Sequence, residues 1–419
     1  MEVIIRASRI GGKVCAPASK SSMQRAVAAA LLADGLSTLV NPSYSSDSLA
    51  AIGMAECLGA TFTKGKGEVI IRGGFNPIRT SLNCNESGLG ARLFCSIAAL
   101  SDVKIGLTGT GSVMSRPMEE GFECLRLAGA KVKSNNGRLP VDIQGPLKGG
   151  TLSLDSSTSS QFLTGLLMVL PTLGSNSILN VINLASRQYI DLTIDVMSGF
   201  GVNIHNENYK RFMIPGNQSY RPATYNVEGD WSGAALMLVL GAIGGNLCVD
   251  NLYPGSSQPD RYIIPILRDS GAIVEKVENG YCAGNAVLNG FTADISGCPD
   301  LAPPLVALAA YCSGRTTING TSRLSIKESD RGKTLESEFI KLGVQITNYG
   351  DHIVVEGGEP LTGGRVSSHG DHRIAMALAV AAVRASGEVI IEDAESVNKS
   401  YPGFFEDMSA AGANLKIIE

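Results

Sequence analysis

The sequence predicts a mixed α/β protein built from six copies of one unit of about 70 residues. Six times, a helix-like segment ends in a small-residue tripeptide centred on glycine, and a strand-like segment follows. These central glycines are Gly59, Gly129, Gly201, Gly271, Gly343 and Gly412. Successive glycines lie 70, 72, 70, 72 and 69 residues apart. Because this period is too long for most solenoid repeats, each copy is expected to be a small α/β fold.

Each unit is predicted to follow the order βαβαββ, with helices packed inside and sheets outside. Glycine after the last helical turn can take the left-handed conformation that ends a helix. Alternating or β-branched residues follow, as is typical of strands, for example in residues 68–72 and 352–356. The predicted fold class is therefore α+β (α/β), with six internal repeats.

Six units divide naturally into two groups of three, which predicts two domains. A chain of 419 residues is also long for a single core. One break is expected near residues 227–230, and a second crossing near residues 15–19, because the first strand precedes the first helix. The expected domains are residues 1–18 plus 229–419, and residues 19–228.

Composition and charge exclude several classes of protein. Hydrophobic residues make up 44% of the chain and charged residues 18%, which is typical of a soluble globular protein. The net charge of −4 argues against general nucleic-acid binding, which needs a basic surface. The longest apolar run, residues 234–243, is too short to cross a bilayer. Since residues 1–6 also lack the form of a signal peptide, we expect a cytoplasmic protein without membrane or nucleic-acid partners.

The cysteines and histidines give no sign of a metal site. The nine cysteines have irregular spacings, with no CxxC pair and no Cys/His cluster. They are expected to be small buried residues in a reducing compartment. The four histidines show no zinc spacing. No metal or organic cofactor is expected.

Several long apolar helices begin with hydroxyl, amide or charged residues that an ordinary buried helix does not need. These polar starts are residues 19–25, 159–161, 230–232, 300 and 369–373. Helix capping explains single serines or aspartates. It does not explain Lys20, Arg25 and Arg373 in first turns, because a cation there opposes the helix dipole. Helix starts bind phosphate or carboxylate readily, so these cations predict one site for multiply charged anions.

Further cations support the prediction. Arg116 lies in the glycine-rich stretch 109–117, the polar run 327–331 precedes another helix, and Lys399 follows Asn398. On its own, the run 327–331 would fit a solvated helix start with local ion pairs. Together with the other clusters, it favours the anion site.

Known phosphate and hydrolase motifs are incomplete. Gly332-Lys333-Thr334 resembles the end of a phosphate-binding loop, but Lys327 stands where the first glycine must be. No Gly-x-Ser-x-Gly nucleophile motif is present. The chemistry is therefore expected to use side chains alone, on anionic substrates.

A set of motifs along essentially the whole chain resembles one known family. These motifs are Ser19-Lys20-Ser21 with Arg25, Ser115-Arg116-Pro117, Ser159-Ser160-Gln161-Phe162-Leu163-Thr164, Ser186 with Tyr189-Ile190-Asp191, Glu228-Gly229-Asp230, Pro299-Asp300, Lys327-Glu328-Ser329-Asp330-Arg331, Asp371-His372-Arg373, and Lys399 with Pro402. On these residues the chain resembles the EPSP synthases, the 3-phosphoshikimate 1-carboxyvinyltransferases among the enolpyruvyl transferases.

The resemblance implies a fold and a reaction. The family has two domains, each an inside-out arrangement of three βαβαββ units, which close on a cleft that holds the active site. It transfers the enolpyruvyl group of phosphoenolpyruvate to the 5-hydroxyl of shikimate 3-phosphate, on the shikimate pathway to chorismate and the aromatic amino acids. Both substrates are anions. The resemblance implies a monomer, no cofactor, and glyphosate as an inhibitor at the phosphoenolpyruvate site.

The resemblance also implies roles for individual residues. The residues 1–18 plus 229–419 would form the phosphoenolpyruvate side, and residues 19–228 the shikimate 3-phosphate side. Shikimate 3-phosphate would be held by Ser21, Arg25, Ser159, Ser160, Ser186, Tyr189 and Lys327. Phosphoenolpyruvate would be held by Lys20, Gly88, Arg116, Gln161, Arg331, Arg373 and Lys399. The catalytic residues would be Glu328 as the proton donor to carbon, Asp300 as the base on the 5-hydroxyl, and Lys20 near the bridging oxygen.

Two segments depart from the common family pattern. The segment expected to read Asn-Ala-Gly-Thr reads Glu86-Ser87-Gly88-Leu89 here. This departure concerns the contacts to phosphoenolpyruvate and the sensitivity to glyphosate. Arg323 stands where many members have an asparagine that contacts shikimate 3-phosphate.

Three other interpretations remain. The sister enzyme that uses UDP-N-acetylglucosamine as acceptor has a reactive cysteine in the loop before Arg-Pro, where this chain has Ser112 and Ser115. A non-catalytic anion-binding or RNA-end-binding protein of the same fold would not need paired Asp300 and Glu328. A purely structural repeat would leave the cations at the helix starts unexplained.

Overall fold

The computed structural model describes all 419 residues. Its strands are β1 (Glu2–Arg6), β2 (Ile10–Cys15), β3 (Gly35–Val40), β4 (Thr61–Lys64), β5 (Glu68–Gly73), β6 (Ser81–Asn83), β7 (Ile105–Thr108), β8 (Lys131–Asn135), β9 (Arg138–Gln144), β10 (Thr151–Asp155), β11 (Ser177–Ile182), β12 (His205–Glu207), β13 (Arg211–Ile214), β14 (Thr224–Asn226), β15 (Gly245–Asp250), β16 (Ile273–Val277), β17 (Gly280–Gly284), β18 (Thr292–Asp294), β19 (Gly314–Asn319), β20 (Gln345–Asn348), β21 (His352–Gly357), β22 (Gly364–Ser367), β23 (Val389–Glu392) and β24 (Asn414–Ile418).

The chain also forms twelve α-helices and six short 3-10 turns. The helices are α1 (Lys20–Leu32), α2 (Ser46–Cys57), α3 (Gly88–Ala98), α4 (Glu119–Leu127), α5 (Gln161–Val169), α6 (Gln188–Gly199), α7 (Trp231–Gly244), α8 (Ile263–Asp269), α9 (Ala302–Ala309), α10 (Arg331–Lys341), α11 (His372–Ala382) and α12 (Phe404–Ala410). The 3-10 turns are Gly111–Ser115, Leu170–Thr172, Pro259–Tyr262, Pro299–Leu301, Ser322–Ile326 and Ala394–Lys399.

All six sheets have four strands and one internal order. In the sheet β6-β7-β9-β8, β6 and β7 are parallel, whereas β9 runs antiparallel to β7 and to β8. Helix α3 connects the parallel pair, and α4 precedes the hairpin. The other sheets are β14-β3-β5-β4, β10-β11-β13-β12, β16-β17-β15-β2, β18-β19-β21-β20 and β22-β23-β1-β24. The predicted fold class and the βαβαββ order are confirmed.

Three sheets take one strand from a distant part of the sequence. Strand β14 is parallel to β3, and β2 is parallel to β15. Strand β1 runs antiparallel to both β23 and β24, so the N-terminal segment completes the last sheet.

The six predicted glycines do end the second helix of each unit. Their φ angles lie between 80° and 110°, in the region that side chains disfavour. At Gly59 a Cβ atom would also come within 2.5 Å of the backbone oxygen of Asn76. Only glycine therefore fits this helix end.

The first helix of each unit contributes to the core of its group of three sheets. In one group α7, α9 and α11 pack against one another, and in the other α1 and α5 each pack against α3. Helix α7 is apolar on all sides and buried from Trp231 to Ile243, as expected of a helix without a solvent face. The sheets expose one face, so helices lie inside and sheets outside.

The chain divides into two compact units. The split unit comprises Met1–Pro17 and Glu228–Glu419, and the continuous unit comprises Ala18–Val227. The chain passes between them after Pro17 and after Val227, one residue before each expected boundary.

Three cysteines differ from the expectation of small buried residues in a reducing compartment, because Cys15 is exposed and two others are paired. Cys248 and Cys282 form a disulfide, with their Cα atoms 3.9 Å apart. They lie directly opposite each other on the antiparallel strands β15 and β17. The expectation was wrong for this pair because a sequence separation of 34 residues gives no local pattern.

None of the twelve helices has the length and apolar character needed to span a membrane.

Candidate functional site

The polar helix starts of the split unit meet at one buried arginine. Helix α10 begins at Arg331, after its N-cap Asp330, and the Arg331 side chain is only 1% exposed. Its guanidinium donates to Asp371 through Nε at 2.9 Å and through Nη2 at 3.2 Å. It also donates to Asp300 at 2.9 Å and to Glu328 at 2.7 Å. One guanidinium thus holds three carboxylates.

Each of these carboxylates sits at an element boundary. Asp300 lies in the 3-10 turn Pro299–Leu301, directly before α9. Asp371 caps α11 by accepting from the backbone N–H of Arg373 at 3.0 Å. Since α11 packs against both α9 and α10, the starts of the three helices bring these side chains into one group. We call it the Arg331 cluster, and its members are Asp300, Lys327, Glu328, Arg331, Asp371, Arg373 and Lys399.

Three more cations complete the Arg331 cluster. Arg373 Nη2 lies 3.3 Å from Asp300 Oδ2, and Lys327 Nζ lies 3.3 Å from Asp300 Oδ1. Lys399 Nζ lies 4.0 Å from Glu328. Arg373 Nη1 is buried and has no hydrogen-bond partner. A buried donor without a partner is costly, so this nitrogen indicates a place for a bound anion.

The cations determine the charge of Asp300. Burial alone would raise its pKa, but the positive charges of Arg373 and Lys327 hold the pKa well below the usual value. Burial lowers the pKa of Lys327, and the charge of Asp300 opposes that shift. Asp300 is therefore an ionised acceptor in the unliganded protein.

The continuous unit holds a second group of cations. Ser19 caps α1, and Lys20 is the first residue of that helix. Lys20 Nζ lies 3.1 Å from Asp47, a carboxylate in the first turn of α2. The sequence-based expectation attributed this cation to a bound anion, and the protein itself supplies one partner, Asp47.

Arg25 lies in the second turn of α1, one turn later than expected. It is buried and donates to the side chain of Thr193 at 2.9 Å and of Thr164 at 3.3 Å. It also donates to the backbone oxygens of Ser21 at 2.8 Å and Tyr189 at 3.2 Å. Because these partners are neutral, burial lowers the pKa of Arg25 to about 10. Arg25 is a buried cation without a carboxylate partner.

The polar residues at the starts of α5 and α6 lie in the same unit. The backbone N–H of Gln161 donates to Ser159 at 3.2 Å, and Ser160 is buried. Ser186 is also buried and takes a left-handed φ of 56°. Since α6 packs against both α1 and α5, Tyr189 joins this group through its bond from Arg25.

Helix α3 begins at Gly88, where arginine side chains fill the space beside the Cα atom. A Cβ atom there would come within 2.7 Å of Arg116 Nη1 and 3.4 Å of Arg92 Nη1. Arg92 donates to Gln161 at 3.0 Å, to Gly88 O at 3.2 Å and to Pro117 O at 3.0 Å. Burial, and then the charge of Arg116, lower the pKa of Arg92 to about 10. Two guanidinium groups therefore line this helix start.

The two departures from the family pattern have local structural consequences. Glu86 packs against Gly111, where a Cβ atom would lie 2.0 Å from the Glu86 carboxylate. Ser87 caps α3 and donates to Gln24 on α1 at 2.9 Å. Arg323 donates to the backbone oxygen of Ser296, in the loop that precedes Asp300.

Several residues at these groups were missed by sequence reasoning. Asp47, Arg92 and Asp371 are direct partners of predicted site residues, and Gln24 is a neighbour of one. Asp371 was visible in the motif with Arg373, and Asp47 stands in the serine-rich start of α2. Gln24 lies in the polar start 19–25 and Arg92 lies four residues after Gly88, but neither was given a role.

The fold and the two groups of buried cations define a class of protein that binds small anions at helix starts. No group of three or more His, Cys, Asp and Glu side chains is placed to hold a metal ion. The sequence model of the family described as EPSP synthase (3-phosphoshikimate 1-carboxyvinyltransferase) matches residues 5–408. The chain belongs to the EPSP synthase family, so the resemblance seen in the motifs is confirmed.

Known relatives agree along nearly the whole chain. A 3-phosphoshikimate 1-carboxyvinyltransferase of Clostridium kluyveri is 38% identical over 416 residues, covering 99% of this chain and 98% of the relative. One of Clostridium perfringens is 40% identical over 421 residues, covering 99% of both. The solved EPSP synthase of Acinetobacter baumannii superposes with a TM-score of 0.84 at 26% identity, covering 100% of both chains.

Proposed function

We propose that this protein transfers the enolpyruvyl group of phosphoenolpyruvate to the 5-hydroxyl of shikimate 3-phosphate and releases phosphate. Family membership and the names of the relatives support this reaction. The observation that carries the chemistry is the joint binding of Asp300 and Glu328 by Arg331, beside the partnerless Nη1 of Arg373. An acid, a base and an anion-binding donor lie within one group.

Shikimate 3-phosphate is assigned to Arg25, to the hydroxyls around it, and to Lys327. Arg25 has only neutral partners, so a phosphate near it would compensate a buried charge. The assigned residues are Ser21, Arg25, Ser159, Ser160, Ser186, Tyr189 and Lys327.

Phosphoenolpyruvate is assigned chiefly to the other predicted cations. Arginine binds carboxylate and phosphate through two parallel hydrogen bonds, which lysine cannot do. Gly88 suits a close approach of the ligand, because the space beside its Cα is lined by Arg116 and Arg92. The assigned residues are Lys20, Gly88, Arg116, Gln161, Arg331, Arg373 and Lys399.

The reaction needs two proton transfers of opposite sense. Glu328 donates a proton to the methylene carbon of phosphoenolpyruvate, so that C2 becomes electrophilic. The 5-hydroxyl oxygen forms a bond to C2 while Asp300 accepts its proton. The C–O bond to phosphate then breaks, the methyl carbon returns its proton to Glu328, and the proton on Asp300 leaves with phosphate. Two carboxyl groups in different surroundings can divide these roles.

Substrate binding helps Asp300 to act as a base. In the unliganded protein, the cations around Asp300 hold its pKa low. Phosphate and carboxylate groups of the substrate would compensate Arg373 and Lys327, so the proton affinity of Asp300 would rise. Lys20, which is paired with Asp47, would contact the bridging oxygen of phosphoenolpyruvate.

The oligomeric state, location, cofactor need and inhibition of the protein are also inferred. We infer a monomer in the cytoplasm, needing no metal or organic cofactor. Glyphosate would compete at the phosphoenolpyruvate contacts, and the residues that distinguish this chain there are Glu86, Ser87 and Leu89.

Product analysis tests the proposed acceptor. Purified protein is incubated with phosphoenolpyruvate and either shikimate 3-phosphate or UDP-N-acetylglucosamine, and the products are separated and weighed by mass spectrometry. We expect an enolpyruvyl ether only from shikimate 3-phosphate. A product formed only from UDP-N-acetylglucosamine would mean that this sugar nucleotide, not shikimate 3-phosphate, is the acceptor. If folded protein forms no product from either acceptor, the result would favour a protein that only binds anions.

A further inference from the structure

A buried aspartate outside the assigned site is hydrogen-bonded to the start of α7. Asp260 lies in the 3-10 turn Pro259–Tyr262 and is 1% exposed. Ser232 donates to its carboxylate at 2.8 Å. Directly before the turn, Gln258 accepts from the backbone N–H of Trp231 at 3.1 Å and donates to the backbone oxygen of Gly229 at 2.8 Å. The bond to Asp260 and the two bonds of Gln258 thus hold this turn at the helix start.

Three carboxylates from three elements lie in the surroundings of Arg373, and Asp300 is 3.3 Å from its Nη2. Asp230 caps α7, Asp260 comes from the turn beside it, and Asp300 comes from the turn before α9. Both turns pack against α7, and α11, which carries Arg373, packs against α7 as well. Each of the three carboxylates acts electrostatically on Arg373. Arg373 therefore balances protein charge that an incoming anion would have to displace.

We propose that Asp260 takes up a proton when phosphoenolpyruvate binds, so that Arg373 is freed from one protein carboxylate and neutralises the substrate instead. This inference rests on the proposed function. Asp260 does not touch the substrate in this account and is a positioning residue that acts through Arg373.

The surroundings of Asp260 make it the group that changes charge. Burial, and then the negative charge of Asp300, raise the pKa of Asp260 to about 6, against the attraction of Arg373 and the bond from Ser232. Asp230, also facing it, adds negative charge. A further anion beside Arg373 would raise this pKa again, which draws a proton from solvent near neutral pH.

The other titratable groups facing Asp260 keep their charge. The cations hold the pKa of Asp300 well below its usual value, so Asp300 stays ionised. Burial and the charge of Asp260 raise the pKa of Cys298, so its thiol stays protonated. Burial lowers the pKa of Arg373, but the charges of Asp300, Asp230 and Asp260 together raise it above its usual value.

Calorimetry can count the proton. Phosphoenolpyruvate is titrated into the full-length protein at pH 7, without an acceptor, in two buffers of different ionisation enthalpy. We expect wild type to take up more protons per ligand than Asp260→Asn, whereas the ligand's own titration is common to both. The matched control is Asp407→Asn, which removes another carboxyl of raised pKa, on α12 and bonded to Tyr401. It should keep the wild-type proton number.

Steady-state kinetics give a second readout. With saturating shikimate 3-phosphate, the KM for phosphoenolpyruvate should rise about fivefold more between pH 6 and pH 8 in wild type than in Asp260→Asn, if binding shifts the pKa by one unit. If Asp260→Asn does not fold, Ser232→Ala replaces it. Loss of that hydrogen bond raises the pKa of Asp260 further, so the pH of greatest proton uptake should move upward.

The outcomes separate this inference from the proposed function. Wild-type protein that neither binds nor turns over phosphoenolpyruvate overturns the proposed function. Normal turnover with equal proton numbers and parallel KM profiles in wild type and Asp260→Asn overturns the role of Asp260 alone. An unmoved proton-uptake maximum in Ser232→Ala overturns it too.

Discussion

Asp300 and Glu328 are held by the same guanidinium, since Arg331 donates to the first at 2.9 Å and to the second at 2.7 Å. The proposed base and the proposed carbon acid are therefore positioned by one buried side chain. Removing a partner from a buried ion pair costs about 3–5 kcal/mol. Variants of Arg331 would thus confound folding with chemistry, and cleaner tests change the residues around it.

Glu328→Gln should abolish turnover and leave binding nearly intact. The amide preserves size and can still accept from Arg331, but it cannot donate a proton to carbon. Because acid–base catalysis contributes about 10²–10⁴-fold, kcat should fall at least about 100-fold, measured by phosphate release. Glu359→Gln, at an exposed position of the same unit, is the control and should match wild type. Full activity of Glu328→Gln would remove the residue from the chemistry.

Arg116→Ala should weaken phosphoenolpyruvate selectively. Arg116 lies beside Gly88 and donates to Ser112 at 3.1 Å. A hydrogen bond to a charged group contributes about 1.5–3 kcal/mol, so the KM for phosphoenolpyruvate should rise at least about tenfold. The exposed Arg79→Ala in the same unit should not change it. An unchanged KM in Arg116→Ala would contradict the assignment.

Gly111→Ala should destabilise the protein more than Gly67→Ala. Both glycines have left-handed φ angles, of 60° and 75°, so alanine costs about 1 kcal/mol of backbone strain at each. A Cβ atom meets nothing within 4 Å at Gly67 but lies 2.0 Å from the Glu86 carboxylate at Gly111. Urea unfolding should show the larger loss for Gly111→Ala, and adding Glu86→Ala should remove the difference. Equal losses would mean that the Glu86 side chain moves aside without cost, which would contradict the prediction.

The free energy of unfolding should depend on pH because of Asp260. Its native pKa of about 6 exceeds the ordinary value of 3.8, so the native state binds more protons between these values. The contribution is present below about pH 4 and is lost as the pH rises to about 6. In urea unfolding at several pH values, Asp260→Asn should gain up to about 3 kcal/mol relative to wild type from pH 4 to pH 7. A pH-independent difference would contradict the raised pKa.

The fold was largely predictable because each repeat needs glycine at the same backbone position. A glycine with φ near 90° is needed after each second helix, and residues such as Gly59 have no room for a side chain. The strands at residues 68–72 and 352–356 each extend by one further glycine in the structure. The strand exchanges of β1, β2 and β14 could not be read from local pattern, because pairing partners hundreds of residues apart leave no periodic mark.

The site was predictable only in part. Cations at helix starts stand out in sequence because they oppose the helix dipole, and this signal led to Lys20 and Arg373. Their protein partners depend on three-dimensional packing, so Asp47 and Asp260 were not identified. The disulfide between Cys248 and Cys282 was missed for the same reason.

The most direct test of the central claim is phosphate release in metal-free buffer. Phosphoenolpyruvate and shikimate 3-phosphate are supplied together and singly, and released phosphate is measured over time. We expect phosphate release only when both substrates are present, and we expect Glu328→Gln to lose this release. Release from phosphoenolpyruvate alone, or none from the pair in folded protein, would contradict this claim.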